Sequence, residues 1–456
     1  MDIFRACDVR GIYPDEINED KAYRIGRAIA TELEWKTVVV AGDVRTSSPS
    51  LKDALIEGIT ASSCDAIDIG TVPTPTLNFA KERLGTTASV MVTASHNPPE
   101  HNGLKITMGK LPITEKELRH LRGLAENHAF LSRRGKRHSV DISSDYEDHV
   151  AARGEQLLAD VSHSPKIVLD CGNGCCSEIA PRVLARLGLP VVPLFCEIDG
   201  TFPNRSPDSA IPENLSDLRR SVLDMQADLG IAFDGDGDRV SFVDENGDVL
   251  RADVAGAIIA THMPEPVTKG DKVVLDQKCS AALFDTIRTA DGQPITEKSG
   301  HTFIKTRMIE DQAKLGVEVS GHFFYSSLGG ADDGLYSALV MTGIVGRDGK
   351  LSDLAARVPK YVSTPDLRVS VPPNPELLDR IASVFPSEHV SRLDGVRVAF
   401  ENGWGLARIS VTEPIMTLRF EGRDRTSLRQ IMAAFLAAAP ELAAAIRERY
   451  GSLDKL

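Results

Sequence analysis

Three short apolar runs, each closing on an acidic residue, recur along the chain: Thr37-Val38-Val39-Val40-Ala41-Gly42-Asp43, Lys166-Ile167-Val168-Leu169-Asp170 and Lys272-Val273-Val274-Leu275-Asp276. Such β-branched runs without polar alternation predict strands covered on both faces and emptying into loops. Each is followed by a helix-like stretch, over residues 50–62, 177–187 and 281–290 respectively. Three α/β units in series account for the pattern most simply, the alternative being three unrelated strands that look alike.

The last part of the chain reads differently. Residues 367–371, 395–400, 406–411 and 417–420 alternate as half-buried strands, with breaks at Pro372-Pro373-Asn374-Pro375 and Glu401-Asn402-Gly403. Closing helices run from about Ser427 to Tyr450, divided at Ala437-Ala438-Ala439-Pro440. These signals predict a small α+β domain, with a linker near Ser363-Thr364-Pro365.

A chain of 456 residues exceeds what one hydrophobic core supports, so several domains are expected. No apolar run approaches the roughly 20 residues of a membrane helix, and Met1-Asp2-Ile3-Phe4-Arg5 lacks a basic segment followed by an apolar one. A cytoplasmic address with no membrane partner is the resulting expectation. The net charge of −13 argues against nucleic acid, while a small anion stays compatible if arginines and a cation focus the field locally. The seven cysteines read as buried thiols, because Cys171, Cys175 and Cys176 have no neighbouring ligands to complete a zinc set.

Candidate chemistry concentrates in four stretches. Asp234-Gly235-Asp236-Gly237-Asp238-Arg239 leaves the apolar run Leu229–Phe233, and three alternating carboxylates between glycines can converge on a cation. A calcium hand is the rival, since Glu245 falls at its twelfth position, but Arg239 stands where that loop needs glycine. Three protein carboxylates suit Mg2+ sharing its sphere with phosphate or water.

Ala88–Val92 reads as a strand ending in Thr93-Ala94-Ser95-His96-Asn97-Pro98-Pro99, where Asn97-Pro98 forces a turn just past Ser95. A turn-stabilising serine is the plain alternative, and the lack of a GxSxG elbow argues against an esterase triad. In Glu318-Val319-Ser320-Gly321-His322 the polar residues fall at alternate positions, so an extended segment would put all three on one face, able to hold sugar hydroxyls. Arg408, Ser410 and Thr412 repeat that spacing, and Thr412-Glu413-Pro414 then turns the chain toward Arg419, together offering groups suited to a phosphate dianion.

Together and in this order, these stretches resemble the α-D-phosphohexomutase family, closest to its phosphomannomutase/phosphoglucomutase branch. The resemblance spans nearly the whole chain and implies three related α/β domains plus a C-terminal α+β domain around a central active-site cleft. The corresponding domain limits are 1–147, 148–250, 251–364 and 365–456. It further implies a phosphoserine at Ser95 that completes a Mg2+ site of Asp234, Asp236 and Asp238. Mannose or glucose phosphate would be interconverted between its 1- and 6-forms through hexose 1,6-bisphosphate. By likeness to family motifs, Arg10 in Phe4–Gly11, Lys105, Arg239 and the proposed acid/base His301 act at the reacting phosphate, and Lys278 touches substrate. Cys7 stands where this branch often has tyrosine, and Val411 where asparagine is common. Phosphoglucosamine mutase is the nearest alternative, although Val319 replaces the glutamine common there. A magnesium phosphatase using Asp234 as nucleophile and a non-catalytic sensor are further ones.

Overall fold

The computed structural model describes residues 2–409 and 415–451. The three apolar runs form strands Thr37–Gly42, Ile167–Asp170 and Lys272–Asp276, each the first strand of the same four-stranded unit. In every unit the second strand pairs parallel on one side of the first, and the third pairs parallel on the other. A fourth strand returns antiparallel beside the third. The likeness is therefore topological as well as local, and the three strands are not independent. Helices Ser48–Thr60, Cys176–Arg186 and Ala281–Thr289 make the first crossovers, close to the stretches expected.

The acid closing each first strand has the same local task in all three units. Asp43, Asp170 and Asp276 each accept from the backbone N–H two residues on, at 3.0, 2.8 and 3.0 Å, which turns the chain out of the sheet.

The fourth unit is an antiparallel sheet of six short strands with helices Pro375–Val384, Arg425–Ala437 and Pro440–Tyr450 against it. Its first helix escaped the sequence reading because Pro372–Pro375 looks like a break. In fact Asn374 caps that helix through Glu376 N and Pro375 occupies its first turn, where no intrahelical N–H is needed.

Two expected divisions need correction. Residues 147 and 148 lie inside helix Ser143–Leu157, whose buried Tyr146 and Val150 belong to the core shared by the second and third units. Val362 and Ser363 pair with Gly422 and Glu421, and Thr364 exchanges hydrogen bonds with Phe420. The stretch expected as a linker is thus a strand of the last sheet. Only residues 358–361 run free of helix and sheet between helix Leu351–Arg357 and that strand.

The second and third units share one continuous hydrophobic core, whereas the first and the last have their own. This makes a two-unit platform carrying two separately packed bodies. No helix among the described residues is long and apolar enough to cross a membrane.

Candidate active site

In each α/β unit the connection between third and fourth strands holds one of the singled-out motifs: residues 93–100, 234–239 and 318–322. One topological position repeated three times thus supplies three walls of a common centre, at the carboxyl ends of parallel strands where α/β sheets bind ligands.

Ser95 is buried and adopts φ +53°, a left-handed conformation costly for a residue with a Cβ. Its surroundings hold it there. Its N–H donates to Thr93 Oγ1 at 2.8 Å, and Asn97 N closes a turn onto the Ala94 carbonyl at 3.0 Å. The fully buried Arg45 pairs with Asp43 at 3.0 Å and donates to the carbonyls of Ser95, Asn97, Pro98 and His101. Arg45 escaped sequence reasoning because nothing local marks an arginine that acts fifty residues away.

Ser95 Oγ donates to Asp234 Oδ2 at 2.9 Å, joining the first unit to the acidic loop of the second. That approach explains a glycine: a Cβ on Gly235 would stand 2.5 Å from the Ser95 carbonyl oxygen. The ligand atoms of Asp234, Asp236 and Asp238 lie within 4.8 Å of one another, all buried. Burial and the two neighbouring carboxylates push the Asp234 carboxyl up to about 8.

Lys105, on the fourth strand His101–Met108, reaches into this triad. Its Nζ donates to Asp236 Oδ2 at 2.7 Å and also to Asp238 Oδ2, and although burial opposes its charge, the aspartates raise its pKa. Thr74 Oγ1 completes the clamp on Asp236 at 2.6 Å, a contact invisible in the sequence. Asp236 Oδ1 and Asp238 Oδ1 are left buried without hydrogen bonds. Two orphaned carboxylate oxygens converging with Asp234 are what a hard cation would satisfy.

Arg10 donates to Asn97 Oδ1 at 2.6 Å and pairs with Asp8 at 2.5 Å. Arg239 donates from Nε to His322 Nε2 at 2.9 Å, and its terminal nitrogens make no hydrogen bond among the described residues. The same contact requires His322 Nε2 to accept, so the His322 proton sits on Nδ1, 2.7 Å from Asp332 Oδ2. His301 opens helix His301–Glu310 and stacks on His322 with centroids 5.9 Å apart. Burial and the Lys105 charge pull His301 down to about 4, and burial with Arg239 and Arg10 holds His96 well below the usual range. Both rings are neutral at neutral pH.

The sugar-loop geometry differs from the expected extended face. Residues 318–321 close a tight turn, Gly321 N to Glu318 O at 3.1 Å, with Gly321 at φ +94°. A turn does not keep alternate residues on one side, so His322 faces Asp332 and Arg239 instead of joining Glu318 and Ser320. Glu318 Oε2 and Ser320 Oγ are buried without partners, as polar atoms awaiting hydroxyl groups would be.

On the last sheet, Arg408 and Arg419 occupy adjacent antiparallel strands on one face, each with a buried Nε lacking a partner. Their outer nitrogens pair with Asp394 at 3.0 Å and Asp366 at 3.5 Å. Arg419 borders a cavity of about 270 Å3 together with Val319 and Gly321 of the sugar turn. Ser410 and Thr412, with Val411, lie outside the described residues. Lys278 follows the strand Lys272–Asp276, and its ammonium makes no hydrogen bond or ion pair among the described residues. Cys7 packs beside Gly300 and bonds Thr302, and burial pushes its thiol up to about 12. Cys171, Cys175 and Cys176 are buried, and the candidate metal sets among the described residues include no cysteine.

Four family models cover the chain: phosphoglucomutase/phosphomannomutase alpha/beta/alpha domains I, II and III over residues 1–131, 144–247 and 251–361, and the C-terminal domain over 367–438. The chain belongs to this family. The phosphomannomutase/phosphoglucomutase of Pseudomonas aeruginosa strain PAO1 is 38% identical over 445 residues, covering 95% of this chain and 94% of that one. The phosphoglucomutase of Neisseria meningitidis serogroup A is 34% identical over 448 residues, with 96% of each chain covered. A crystal structure of a phosphoglucomutase/phosphomannomutase family protein from Burkholderia thailandensis superposes with a TM-score of 0.85 at 34% identity, over 96% of this chain and 98% of that one. Family membership carries with it the architecture of three α/β domains and a C-terminal domain, and an enzyme's function. The departure at Cys7 is therefore a variation within a phosphohexomutase.

Proposed function

We propose that the chain interconverts hexose 1-phosphate and hexose 6-phosphate through a phosphoserine at Ser95 and a hexose 1,6-bisphosphate intermediate. The observation that carries this reading is the contact of Ser95 Oγ with Asp234 at 2.9 Å inside a ring of three carboxylates and the cations Arg10, Lys105 and Arg239. A phosphoryl group on Ser95 would meet those cations on one side and the triad on the other. Asp234, Asp236 and Asp238 fit Mg2+, which when bound would screen the carboxylates from the phosphate and draw charge from its oxygens. A magnesium phosphatase with Asp234 as nucleophile would have no need of Ser95, the group seated against the triad.

Arg408 and Arg419, with Ser410 and Thr412, hold the phosphate already on the substrate. Glu318 and Ser320 take sugar hydroxyls, and Lys278 adds charge to the same wall. The free hydroxyl attacks the phosphorus of phosphoserine, the Oγ–P bond breaks, and a sugar O–P bond forms. Lys105, another titratable group of this centre, is held charged by the aspartates, so neutral His301 accepts the hydroxyl's proton. Arg10 and Arg239 face the charge that develops on the transferring group. The bisphosphate then turns around and returns its other phosphate to Ser95. Relatives named for mannose and for glucose suit a site gripping phosphate and hydroxyls common to both sugars.

Intact mass with peptide mapping, and a coupled assay on mannose, glucose and glucosamine 1-phosphates with Mg2+ and trace hexose 1,6-bisphosphate, test this reading. One phosphate on Ser95, isomerisation of the first two sugars, and a Ser95→Ala variant that binds but does not turn over are expected. Activity of Ser95→Ala within a few-fold of the parent would refute the phosphoserine; phosphate release without isomerisation would refute the mutase.

A further inference from the structure

Outside the site just described, a cavity of about 490 Å3 lies where the first, second and third units meet. Lys81 and Lys110 from the first unit, Arg153 from helix Ser143–Leu157, and Lys305 from helix His301–Glu310 all line it, with His149 beside them. Its acids are Glu82, Asp332 and Asp333, and they are poor partners for these cations. Asp332 is taken by His322 at 2.7 Å, and Asp333 accepts from Tyr146 Oη at 2.7 Å and Tyr336 N at 2.9 Å. Glu82 is largely solvent-exposed and meets Lys81 only at 3.5 Å. Arg153 is spent on His149 and the Ser327 carbonyl. Lys305 and Lys110 make no hydrogen bond or ion pair among the described residues.

Lys81 is buried and Lys305 half-buried, while Lys110 stands exposed at the rim; with Asp332 and Asp333 already engaged elsewhere, a phosphate dianion would complete the counter-charge of the two inner ammonium groups. Burial, helped by the charge of Lys81, holds Lys305 below the ordinary lysine range although Asp332 pulls the other way. The volume exceeds what an inorganic anion fills and falls within the usual span for small-molecule pockets. Phe79, Ile309 and Leu328 give the cavity apolar lining beside the amines.

We propose that this cavity is a second phosphate site, separate from the catalytic cleft, in which Lys81, Lys110 and Lys305 bind a phosphate dianion whose organic body packs on Phe79 and Leu328. It borders the catalytic centre without being part of it. Lys305 lies one turn after His301, and Asp332 faces both the cavity and His322. The proposal does not rest on mutase activity.

Equilibrium dialysis with radiolabelled inorganic phosphate tests it on the full chain carrying Arg408→Ala and Arg419→Ala, which cripple the cleft's phosphate grip. Saturable binding that disappears when Lys81→Gln and Lys305→Gln are added is expected. In parallel, the phosphate-induced rise in melting temperature should vanish, with the ligand-free melting temperature close to or above the parent's because one buried and one half-buried charge are gone. Leu328→Trp, which fills the cavity and spares every amine, should abolish the same binding. Phosphate binding unchanged in both the lysine and the Leu328 variants, or no binding once the cleft arginines are removed, would overturn the proposal. Displacement by phenyl phosphate at concentrations at least tenfold below those of unlabelled phosphate identifies a phosphate ester as the occupant. Equal displacement identifies free phosphate and removes the organic body from the proposal.

Discussion

The buried guanidinium of Arg45 donates to the backbone carbonyl of Ser95 at 2.9 Å while its other side pairs with Asp43. The first strand of the unit thereby holds the Ser95 loop at the end of the third. A counterpart exists in the second unit, where Arg205 pairs with Asp170 at 2.8 Å and donates to the Phe233 carbonyl at 2.7 Å, just ahead of the acidic loop.

Replacing Arg45 with Met should leave Asp43 buried and unpaired, a loss of roughly 3–5 kcal/mol for a broken buried pair. Urea unfolding checks the stability. The double replacement Arg45→Met, Asp43→Asn should recover much of it yet leave kcat depressed about tenfold or more, because the Ser95 loop has lost its anchor. Full recovery of kcat would confine Arg45 to a structural role.

Lys105 occupies the position a metal's charge would take between Asp236 and Asp238. Lys105→Met should therefore tighten divalent cation binding by about tenfold, since an internal competitor for the same oxygens is gone. Calorimetric titration of the EDTA-treated protein with Mg2+ or Mn2+ measures this. Turnover should fall in the same variant, so affinity and activity move in opposite directions.

His301 is held neutral, with a pKa of about 4 against 6.5 for the free side chain. The unfolded chain takes up this proton first as pH falls, so between about pH 6.5 and pH 4 it binds more protons than the folded chain and stability declines. The loss attributable to His301 is on the order of 3 kcal/mol by pH 4. In metal-free protein, His301→Asn should flatten the stability profile across that window. An unchanged slope would show that His301 is not held neutral.

Glu421 is fully buried, accepts from Trp404 Nε1 at 2.9 Å and from Ala281 N at 2.7 Å, and so docks the last unit onto the N-terminus of helix Ala281–Thr289. A carboxylate there is favoured by the helix's positive end. Glu421→Gln keeps the shape and removes the charge. Proteolysis within residues 358–361 should accelerate, and KM for hexose phosphate should rise about three- to tenfold with a smaller change in kcat, because Arg408 and Arg419 travel with this unit.

What could be read without a structure was whatever is local. Period and run length reveal the three first strands, because a strand covered on both faces must be apolar at every position. The alternating aspartates of 234–238 and the Ser95 turn likewise show in neighbouring residues. The turn at residues 318–321 did not, since alternate polar residues suit a strand or a tight turn equally and only pairing of the flanking strands chooses between them.

Which residues would gather around Ser95 was legible only through resemblance, and how they meet was not legible at all. Lys105 enters the aspartate triad and Thr74 clamps Asp236 across separations of 131 and 162 residues, where no periodicity carries information. By itself the sequence determined the elements, their repetition and the chemical groups available, because secondary structure and turn chemistry depend on neighbours along the chain. The tertiary structure alone decided that the three third-to-fourth strand connections converge, because a buried charge finds its partner through space and the packing of separate units sets which charges come within reach.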